Sequence, residues 1–292
     1  MQVGRYQVLD VIGTGAYGRV VRGHDPLIDR PVAIKLFSPA LAVGEARNQF
    51  FREARVVGKL SHQHIVTLHD MGIEESTGTP YLVMELIEGQ SLEKILAKGS
   101  VAYPMACAWA AHVASALGAA HRRGVIHGDV KPANVLITQE GRPKLMDFGM
   151  SRLANRDTKD SSILGTPAYW CPEQIFGRSQ DARSDFFSLG VVLHEMITGV
   201  SPFAASSVNE VCNRILSSTP LPPSHSNPSI PGGLDAVVAS CLAKDPQQRI
   251  ASGEVLAEQL YPFARRKSGA QTVAVAPAPA RQRLTARLLH SA

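Results

Sequence analysis

Cysteine and aromatic residues are both scarce in this chain of 292 residues. The four cysteines lie far apart and form no C-x-x-C pair, so neither a zinc cluster nor a disulfide framework is indicated and a reducing compartment fits best. No stretch approaches the roughly 20 apolar residues of a membrane span. Residues 1–5 have neither the pattern of a signal sequence nor a glycine at position 2 for myristoylation. We therefore expect a cytoplasmic protein with no membrane span.

Acidic residues are missing from the C-terminal end of the sequence. The formal net charge is +5, but residues 264–292 hold six cations and no Asp or Glu, so residues 1–263 carry a net charge of −1. A nearly neutral body does not offer the cationic groove that nucleic acid requires, and no nucleic-acid partner is expected. Residues 264–292, with their Pro/Ala-rich stretch, are predicted to form a flexible tail. This basic tail is either a solvated extension or a segment that docks on an acidic partner or on anionic lipid.

The remaining composition and the hydrophobic pattern predict an α+β protein. Strand-like runs within residues 5–37 are followed by a helical pattern over 43–60 and by two more strand-like runs near 65–71 and 81–86. After residue 89 the chain becomes alanine-rich and helical, with a long helix over 105–121 and an apolar helix over 186–198. We predict a small β-rich lobe with one key helix (residues 1–87), followed by a larger helical lobe (residues 88–263).

A glycine-rich run lies between the first two strands. It comprises Gly13, Thr14, Gly15, Ala16, Tyr17 and Gly18, and it also matches the dinucleotide-binding fingerprint. That fingerprint needs a helix directly after the glycines to hold a pyrophosphate. Here Val20 and Val21 follow, with Pro26 and Pro31 before the next apolar run, so strand, turn and strand is the better interpretation. Glycines in such a hairpin let the backbone close over phosphates without Cβ clashes.

Two opposite charges lie on surfaces that the pattern predicts to face inward. Lys35 ends the run Val32-Ala33-Ile34 in an apolar strand, where an unpaired ammonium would be costly to bury. Glu53 lies on the same helical stripe as Phe50 and Val57. We expect Lys35 and Glu53 to pair, either as a phosphate-positioning device or as a purely structural salt bridge.

Two further segments carry polar side chains beside predicted apolar strands. Asp129, Lys131 and Asn134 lie within residues 125–137, and Asp147 opens the run Asp147-Phe148-Gly149. With the glycine run, Lys35 and Glu53, their order and spacing resemble the protein kinase family, whose signatures occur in this sequence. Lys131 and residues 165–169 resemble serine/threonine kinases rather than tyrosine kinases. The bacterial branch of eukaryote-like serine/threonine kinases is the nearest resemblance, and it covers residues 6–263.

The resemblance implies a two-lobe kinase fold and an enzyme of signal transduction that transfers the ATP γ-phosphoryl group to Ser or Thr hydroxyls of protein substrates. Asp129 would accept the proton of the attacking hydroxyl, Lys131 would steady the γ-phosphate, and Lys35 paired with Glu53 would position the nucleotide. Mg²⁺ would be held by Asn134 and Asp147. The expected ATP contacts are Ile12, Gly13, Thr14, Gly15, Ala16, Tyr17, Gly18, Arg19, Val20, Ala33, Lys35, Met84, Glu85, Leu86 and Leu136, with the hinge backbone at Glu85-Leu86-Ile87 binding adenine.

Two other functions share this fold. A pseudokinase would bind partners without turnover, although all the catalytic side chains expected of an enzyme are present. A small-molecule phosphotransferase would use the same Asp, Asn and Mg²⁺ chemistry, but it would not need the segment 165–173, which in protein kinases receives a peptide. Turnover with labelled ATP and the identity of the phosphorylated product separate these alternatives.

The sequence departs from the family pattern at Gly128, where the family usually has an arginine that grips a phosphate on the activation loop. We expect phosphorylation of that loop not to switch activity through this contact, although Ser151, Thr158, Ser161, Ser162 and Thr166 offer sites for autophosphorylation. Cys171 replaces the usual alanine and is either a tolerated small residue or an oxidisable one.

Four further residues are assigned structural roles. Glu173 is expected to pair with Arg249, as the matching family positions do. Asp185 is expected to cap the apolar helix, and its family counterpart also supports the catalytic loop backbone. His127 is predicted to pack and to form hydrogen bonds rather than to act as a general base.

Overall fold

A six-stranded antiparallel sheet forms the first part of the molecule. The computed structural model describes residues 2–15, 18–148 and 167–264. The sheet has the strand order β1-β2-β3-β4-β6-β5. Its strands are β1 (Gln2–Val3), β2 (Tyr6–Gly15), β3 (Gly18–Asp25), β4 (Arg30–Leu36), β5 (Leu68–Glu74) and β6 (Thr79–Glu85).

The glycine-rich run lies at the end of the hairpin formed by β2 and β3. Gly13 pairs with Val20, Thr14 with Arg19, and Gly15 with Gly18. Gly18 has a φ of 136°, and a Cβ there would collide with the Leu36 carbonyl oxygen, so glycine is required at this position. The predicted strands on both sides of the run are confirmed, and the dinucleotide-binding alternative, which needs a helix after the glycines, is wrong. Ala16 and Tyr17 lie outside the described residues.

One long helix covers part of this sheet. It is α1 (Gly44–Val57), and a 3-10 turn (Pro39–Ala42) precedes it. Phe50 is fully buried, and its ring lies 5.3 Å from the Phe37 ring, centroid to centroid, in an edge-on arrangement. Burying a side chain of this size contributes about 1.5–3 kcal/mol. The helical pattern predicted over residues 43–60 is confirmed, and Phe50 is the side chain that fixes α1 against the sheet.

The second part of the molecule is mainly helical. Its helices are α2 (Leu92–Leu96), α3 (Tyr103–His121), α4 (Pro172–Ile175), α5 (Ala182–Thr198), α6 (Val208–Ser217), α7 (Pro223–Ser226), α8 (Gly232–Cys241) and α9 (Gly253–Ala264). A small antiparallel sheet contains β7 (Gly89–Ser91), β8 (Val135–Thr138) and β9 (Pro143–Leu145), and short 3-10 turns lie at Pro132–Asn134, Pro167–Tyr169 and Pro246–Gln248. The α+β class predicted from the sequence is confirmed, whereas the division at residues 87 and 88 stays a prediction.

Helices α3 and α5 form the centre of the helical part. Both are buried around most of their circumference, as expected for helices that are apolar on nearly every face. The prediction that Asp185 caps α5 is wrong, because Asp181 is the N-cap and its side chain accepts a hydrogen bond from the Arg183 amide. Gly199 ends α5 in the left-handed conformation. Asp185 lies inside the first turn and has the different role described below.

The fifth strand begins later than the sequence pattern predicts. We expected a strand near residues 65–71, whereas β5 starts at Leu68. Ile65 is buried and forms an isolated parallel bridge with Leu145, and the Val66 amide donates to the Leu145 carbonyl at 2.9 Å. Ile65 and Val66 are therefore apolar because they join this segment to the helical part, not because they extend the sheet.

Three histidines, which we call the histidine stack (His62, His64 and His112), connect the segment after α1 to helix α3. The rings of His64 and His112 are stacked with their centroids 4.2 Å apart, and His62 lies 5.6 Å from His64. Burial lowers the pKa of all three imidazoles, and positively charged neighbours lower those of His62 and His64 further. Neutral rings are therefore favoured at this junction.

No helix within the described ranges, residues 2–15, 18–148 and 167–264, combines the length and the apolar character needed to cross a membrane.

Candidate active site

Lys35 lies on the inner strands of the large sheet, and its face of the sheet carries several of the predicted nucleotide contacts. Lys35 pairs across the strands with Val20 on β3, and Ala33 pairs with Met84 on β6. Directly paired residues share a face of a sheet, as do residues two apart on one strand. One face of the sheet, next to the glycine hairpin, therefore carries Val20, Ala33, Lys35 and Met84. The structure brings these four predicted residues together.

The Lys35 ammonium group is buried and contacts a carboxylate from the helical part of the molecule. Lys35 has a relative exposure of 4%, and its Nζ lies 2.7 Å from Asp147 Oδ2. This contact joins the large sheet to the Asp147 segment. Glu53 is half-buried on α1, and its Oε1 accepts a hydrogen bond from the Gln49 side chain at 3.4 Å. Direct pairing of Lys35 with Glu53 stays a prediction.

Asp129 lies at the centre of a compact polar group. Lys131 Nζ donates to Asp129 Oδ2 at 2.7 Å. The Asn134 side-chain amide donates to the same oxygen at 3.1 Å and to the Asp129 carbonyl at 2.8 Å. A side-chain amide binds a cation through its oxygen, so Oδ1 is the atom with which Asn134 would hold one. The three residues that sequence analysis singled out in this loop are thus in direct contact.

Hydrogen bonds of the Met146 backbone join the Asp147 segment to the loop that contains Asp129. The Met146 amide donates to the Asn134 carbonyl at 3.0 Å, and the Met146 carbonyl accepts from His127 Nε2 at 2.9 Å. Asp147 follows directly, with a φ of 67° that turns the chain sharply after β9. Such a conformation is strained for a residue with a side chain and is often found at functional sites. Asn134 and Asp147, the two predicted metal ligands, are therefore held by neighbouring backbone.

The buried ring of His127 has a structural role. Its Nε2 faces the Met146 carbonyl, its Nδ1 accepts from the Asp129 amide at 3.2 Å, and its ring lies 4.6 Å from that of Phe148. A neutral ring with its proton on Nε2 satisfies both hydrogen bonds. His127 is fully buried, so it packs and forms hydrogen bonds as predicted.

The Asp185 side chain binds the backbone of the loop that contains Asp129. Its carboxylate accepts from the His127 amide at 2.9 Å and from the Gly128 amide at 2.8 Å, and His121 Nε2 lies 2.7 Å away. Asp185 has a relative exposure of 1%, so these contacts satisfy a carboxylate that burial would otherwise destabilise. The support of this loop's backbone that the resemblance implied for Asp185 is confirmed.

An ion pair anchors helix α4 to the rest of the helical part. Arg249 Nη1 and Nη2 donate to the two carboxylate oxygens of Glu173 at 2.7 and 2.8 Å. Burial raises the pKa of Glu173, but the hydrogen bonds and charge of Arg249, the Ser184 hydroxyl and a backbone hydrogen bond together outweigh that effect, so the net pKa is lowered. The predicted pairing of Glu173 with Arg249 is confirmed.

Cys171 and Gln174 frame the start of α4. Burial raises the pKa of Cys171 to about 11, and the side chain is fully buried, so the structure favours the small structural residue over the oxidisable one. Gln174 was missed by sequence reasoning, although its spacing three residues after Cys171 is the spacing of a capping box. Its side chain reaches back to the loop that contains Asp129.

The predicted hinge lies at the end of β6. The Glu85 side chain forms an ion pair with Lys144 at 2.7 Å, and its backbone amide donates to the Thr67 carbonyl at 2.9 Å. Residues 86–88 leave the sheet as irregular backbone, and the binding of adenine by this backbone stays a prediction. Leu136 is half-buried on β8 of the small sheet.

Parts of the predicted site lie outside the described residues. They are Ala16 and Tyr17 of the glycine run, Gly149, the hydroxyl residues Ser151, Thr158, Ser161, Ser162 and Thr166, and the basic tail from residue 265 onward.

The arrangement of a glycine hairpin, a buried lysine and a loop carrying Asp129 and Asn134 defines a phosphotransferase-like cleft, and comparison with known proteins agrees. The chain matches the family model described as the protein kinase domain over residues 6–261. It is therefore a member of the protein kinase domain family.

Individual relatives are bacterial serine/threonine kinases. The chain is 38% identical over 268 residues to the serine/threonine-protein kinase PksC of Streptomyces coelicolor, which covers 88% of this chain and 48% of PksC. It is 38% identical over 252 residues to the serine/threonine-protein kinase PknB of Mycobacterium leprae, with coverage of 84% and 40%. The chain thus spans less than half the length of these two relatives.

A solved structure shares the fold. The crystal structure of the Mycobacterium tuberculosis PknI kinase domain superposes with a TM-score of 0.72 and 28% sequence identity, covering 90% of this chain and 98% of that chain. The kinase fold that the resemblance implied is confirmed.

Proposed function

We propose that this chain is a serine/threonine protein kinase that transfers the γ-phosphoryl group of ATP to Ser or Thr hydroxyls of protein substrates. The observation that carries the proposal is the contact set in which Asp129 touches both Lys131 and Asn134 while Asp147 touches Lys35. Phosphoryl transfer depends mainly on positioning and on neutralising charge at the phosphate oxygens. The cleft supplies the charges and donors for both tasks.

In the proposed reaction, the Asp129 carboxylate accepts the proton of the substrate hydroxyl as its oxygen attacks the γ-phosphorus. The new O–P bond forms while the bond from the γ-phosphorus to the β,γ-bridging oxygen breaks, and ADP leaves with that electron pair. Lys131 stands 2.7 Å from Asp129 Oδ2 and would contact the transferring phosphoryl group. Asn134 orients Asp129 by donating to its carboxylate and to its carbonyl.

The donor set fits a magnesium ion. Asp147 offers a carboxylate and Asn134 an amide oxygen, and hard oxygen ligands are those that Mg²⁺ prefers. Asn134 and Asp147 would hold the ion, which would neutralise charge on the phosphates.

The nucleotide would lie on the sheet face that carries Lys35. Val20, Ala33 and Leu136 would offer apolar contacts to the purine, and the backbone after Met84 would bind its polar edge. Lys35 would contact the α- and β-phosphates, with Glu53 as its positioning partner. The glycine hairpin would close over the phosphates from above.

The test is transfer of label from γ-labelled ATP, with Mg²⁺, to a general protein substrate and to the chain itself. We expect phosphoserine and phosphothreonine in the product. Asp129→Asn should lower kcat about 10²–10⁴-fold, the usual contribution of a general base. Asp29→Asn is the matched control, because Asp29 is 95% exposed in the β3–β4 turn, and it should leave kcat unchanged.

Two results would contradict the proposal. Nucleotide binding without any transfer by the unaltered chain would indicate a pseudokinase. Transfer to a small molecule with no phosphorylated serine or threonine would indicate a small-molecule phosphotransferase.

A further inference from the structure

Gly128, the residue before Asp129, is held by hydrogen bonds on both sides of its backbone. Its amide donates to Asp185 Oδ1 at 2.8 Å, and its carbonyl accepts from Gln174 Nε2 at 2.9 Å. The φ of Gly128 is 73°, in the left-handed region, and the residue has no side chain with which to reach a neighbouring segment. Its link to α4 therefore runs through the peptide group, which also sets the direction in which the chain enters Asp129.

The Gln174 side chain is held at its other end as well. Its Oε1 accepts from the Cys171 amide at 3.0 Å and lies 3.3 Å from Cys171 Sγ, within reach of the thiol hydrogen. With the oxygen fixed on Cys171, the amide nitrogen must face Gly128. Helix α4 is itself anchored, because the adjacent Glu173 forms the buried pair with Arg249. The Gln174 side chain is thus a short, uncharged link between helix α4 and the loop that contains Asp129, and we call this link the strut.

We propose that Gln174 is a positioning residue that aligns Asp129 by fixing the Gly128 carbonyl against helix α4. The inference rests on the proposed function, because it concerns the geometry of the proposed base. Neither end of the strut is charged, and neither needs a covalent modification, so this link forms without added phosphate. Gln174 acts through Gly128 and does not touch the reacting atoms.

Two variants of Gln174 test the strut in the full chain after phosphatase treatment, each with a matched control. Gln174→Leu keeps the approximate size but removes donor and acceptor, and we expect kcat to fall about 10- to 100-fold, as for other small misplacements of a catalytic group. KM for ATP should not change, because the nucleotide face lies on the large sheet. The exposed Gln247 provides matched controls, since Gln247→Leu and Gln247→Glu make the same chemical changes away from the site.

Gln174→Glu separates positioning from simple packing through its pH profile. The introduced carboxyl can donate to the Gly128 carbonyl only when it is protonated, and as a carboxylate it repels that oxygen. The activity of Q174E relative to the unaltered chain should therefore rise as the pH is lowered from 8 towards 5.5. The ratio for Q174L should stay low and flat, and the ratios for both Gln247 variants should stay near one.

Hydrogen exchange gives a readout that does not need turnover. In Q174L the amides of His127 and Gly128 should exchange faster, while amides in the large sheet keep their rates. An unaltered kcat and unaltered exchange at these amides in Q174L would overturn the strut. Absence of turnover by the unaltered chain, with faster exchange in Q174L, would overturn the proposed function but support the strut.

Discussion

Replacing Arg249 with methionine is expected to destabilise the fold strongly, because this guanidinium neutralises a buried carboxylate. The Arg249 side chain is fully buried and donates to both Glu173 oxygens at 2.7 and 2.8 Å. It also donates to the carbonyls of Ala243, Lys244 and Arg183 at 2.8, 3.0 and 3.2 Å. Methionine fills much of the same volume but removes the donor that Arg249 supplies to these five acceptors, and Glu173 Oε1 keeps only its hydrogen bond from the Ser184 hydroxyl at 3.1 Å.

The magnitude follows from the burial of the pair. Removing one partner of a buried ion pair costs about 3–5 kcal/mol, because the other charge remains buried and uncompensated. A domain of ordinary stability has about 5–15 kcal/mol in total, so Arg249→Met should remove between about a fifth and all of the free energy of unfolding. Adding Glu173→Gln to this variant should recover part of the loss, since the uncompensated charge is then absent.

Urea unfolding followed by circular dichroism measures these changes. The matched control is Arg214→Met, because Arg214 forms an i,i+4 pair with Glu210 on an exposed face, with side chains 44% and 41% exposed. Exposed pairs of this kind contribute about 1 kcal/mol or less. Equal losses for Arg249→Met and Arg214→Met, or no recovery in the double variant, would refute the reasoning.

The same pair predicts an acid limit to stability. The pKa of Glu173 is lowered in the folded chain from its ordinary value of 4.5. The unfolded chain therefore binds the proton first, so the contribution of this carboxylate is fully present above pH 4.5 and is lost as the pH falls through the lower folded value. In Glu173→Gln this part of the acid dependence should disappear, as a series of unfolding curves across that range would reveal.

Two further changes have direct measurements. His112→Asn in the histidine stack should reduce the loss of stability between pH 7 and 5.5. Burial lowers the folded pKa of this ring below its ordinary 6.5, so the unfolded chain takes up the proton first. An unaltered dependence of stability on pH, or an equal effect of the exposed control His225→Asn, would contradict this prediction. Gly18→Ala should cost about 1–3 kcal/mol and raise KM for ATP, since its φ is 136° and its Cβ would collide with the Leu36 carbonyl. Gly13→Ala is its control, since the nearest atom to that Cβ lies 4.0 Å away, and equal thermal shifts for the two variants would refute the steric argument.

Local sequence pattern was a good guide wherever neighbours along the chain decide the structure. The glycine hairpin, the strand that ends near Lys35 and the helix that carries Phe50 and Glu53 were predicted because hydrophobic period and turn residues are short-range properties. Strand β5 was misplaced because an apolar residue such as Ile65 looks the same whether it extends a sheet or bridges to Leu145 in another part of the fold.

Side-chain partners were harder to predict than elements. An aspartate at the start of an apolar helix is typical of a helix cap, but the Asp185 carboxylate accepts hydrogen bonds from amides more than fifty residues earlier in the chain. Lys35 was expected to pair with Glu53, and the structure adds Asp147 as a contact at 2.7 Å. Such choices depend on which groups tertiary packing brings within about 3 Å, where a hydrogen bond or an ion pair becomes significant.

The sequence by itself determined the α+β class, the order of the elements and the set of side chains that we propose take part in phosphoryl transfer, because these depend on residue type and spacing. The tertiary structure alone decided which distant backbone groups Asp185 and Gln174 hold, and so how Asp129 is oriented. Hydrogen bonds act over a few ångströms, and the residues they join here stand 46 to 58 positions apart in the chain. Only the folded packing brings them into contact.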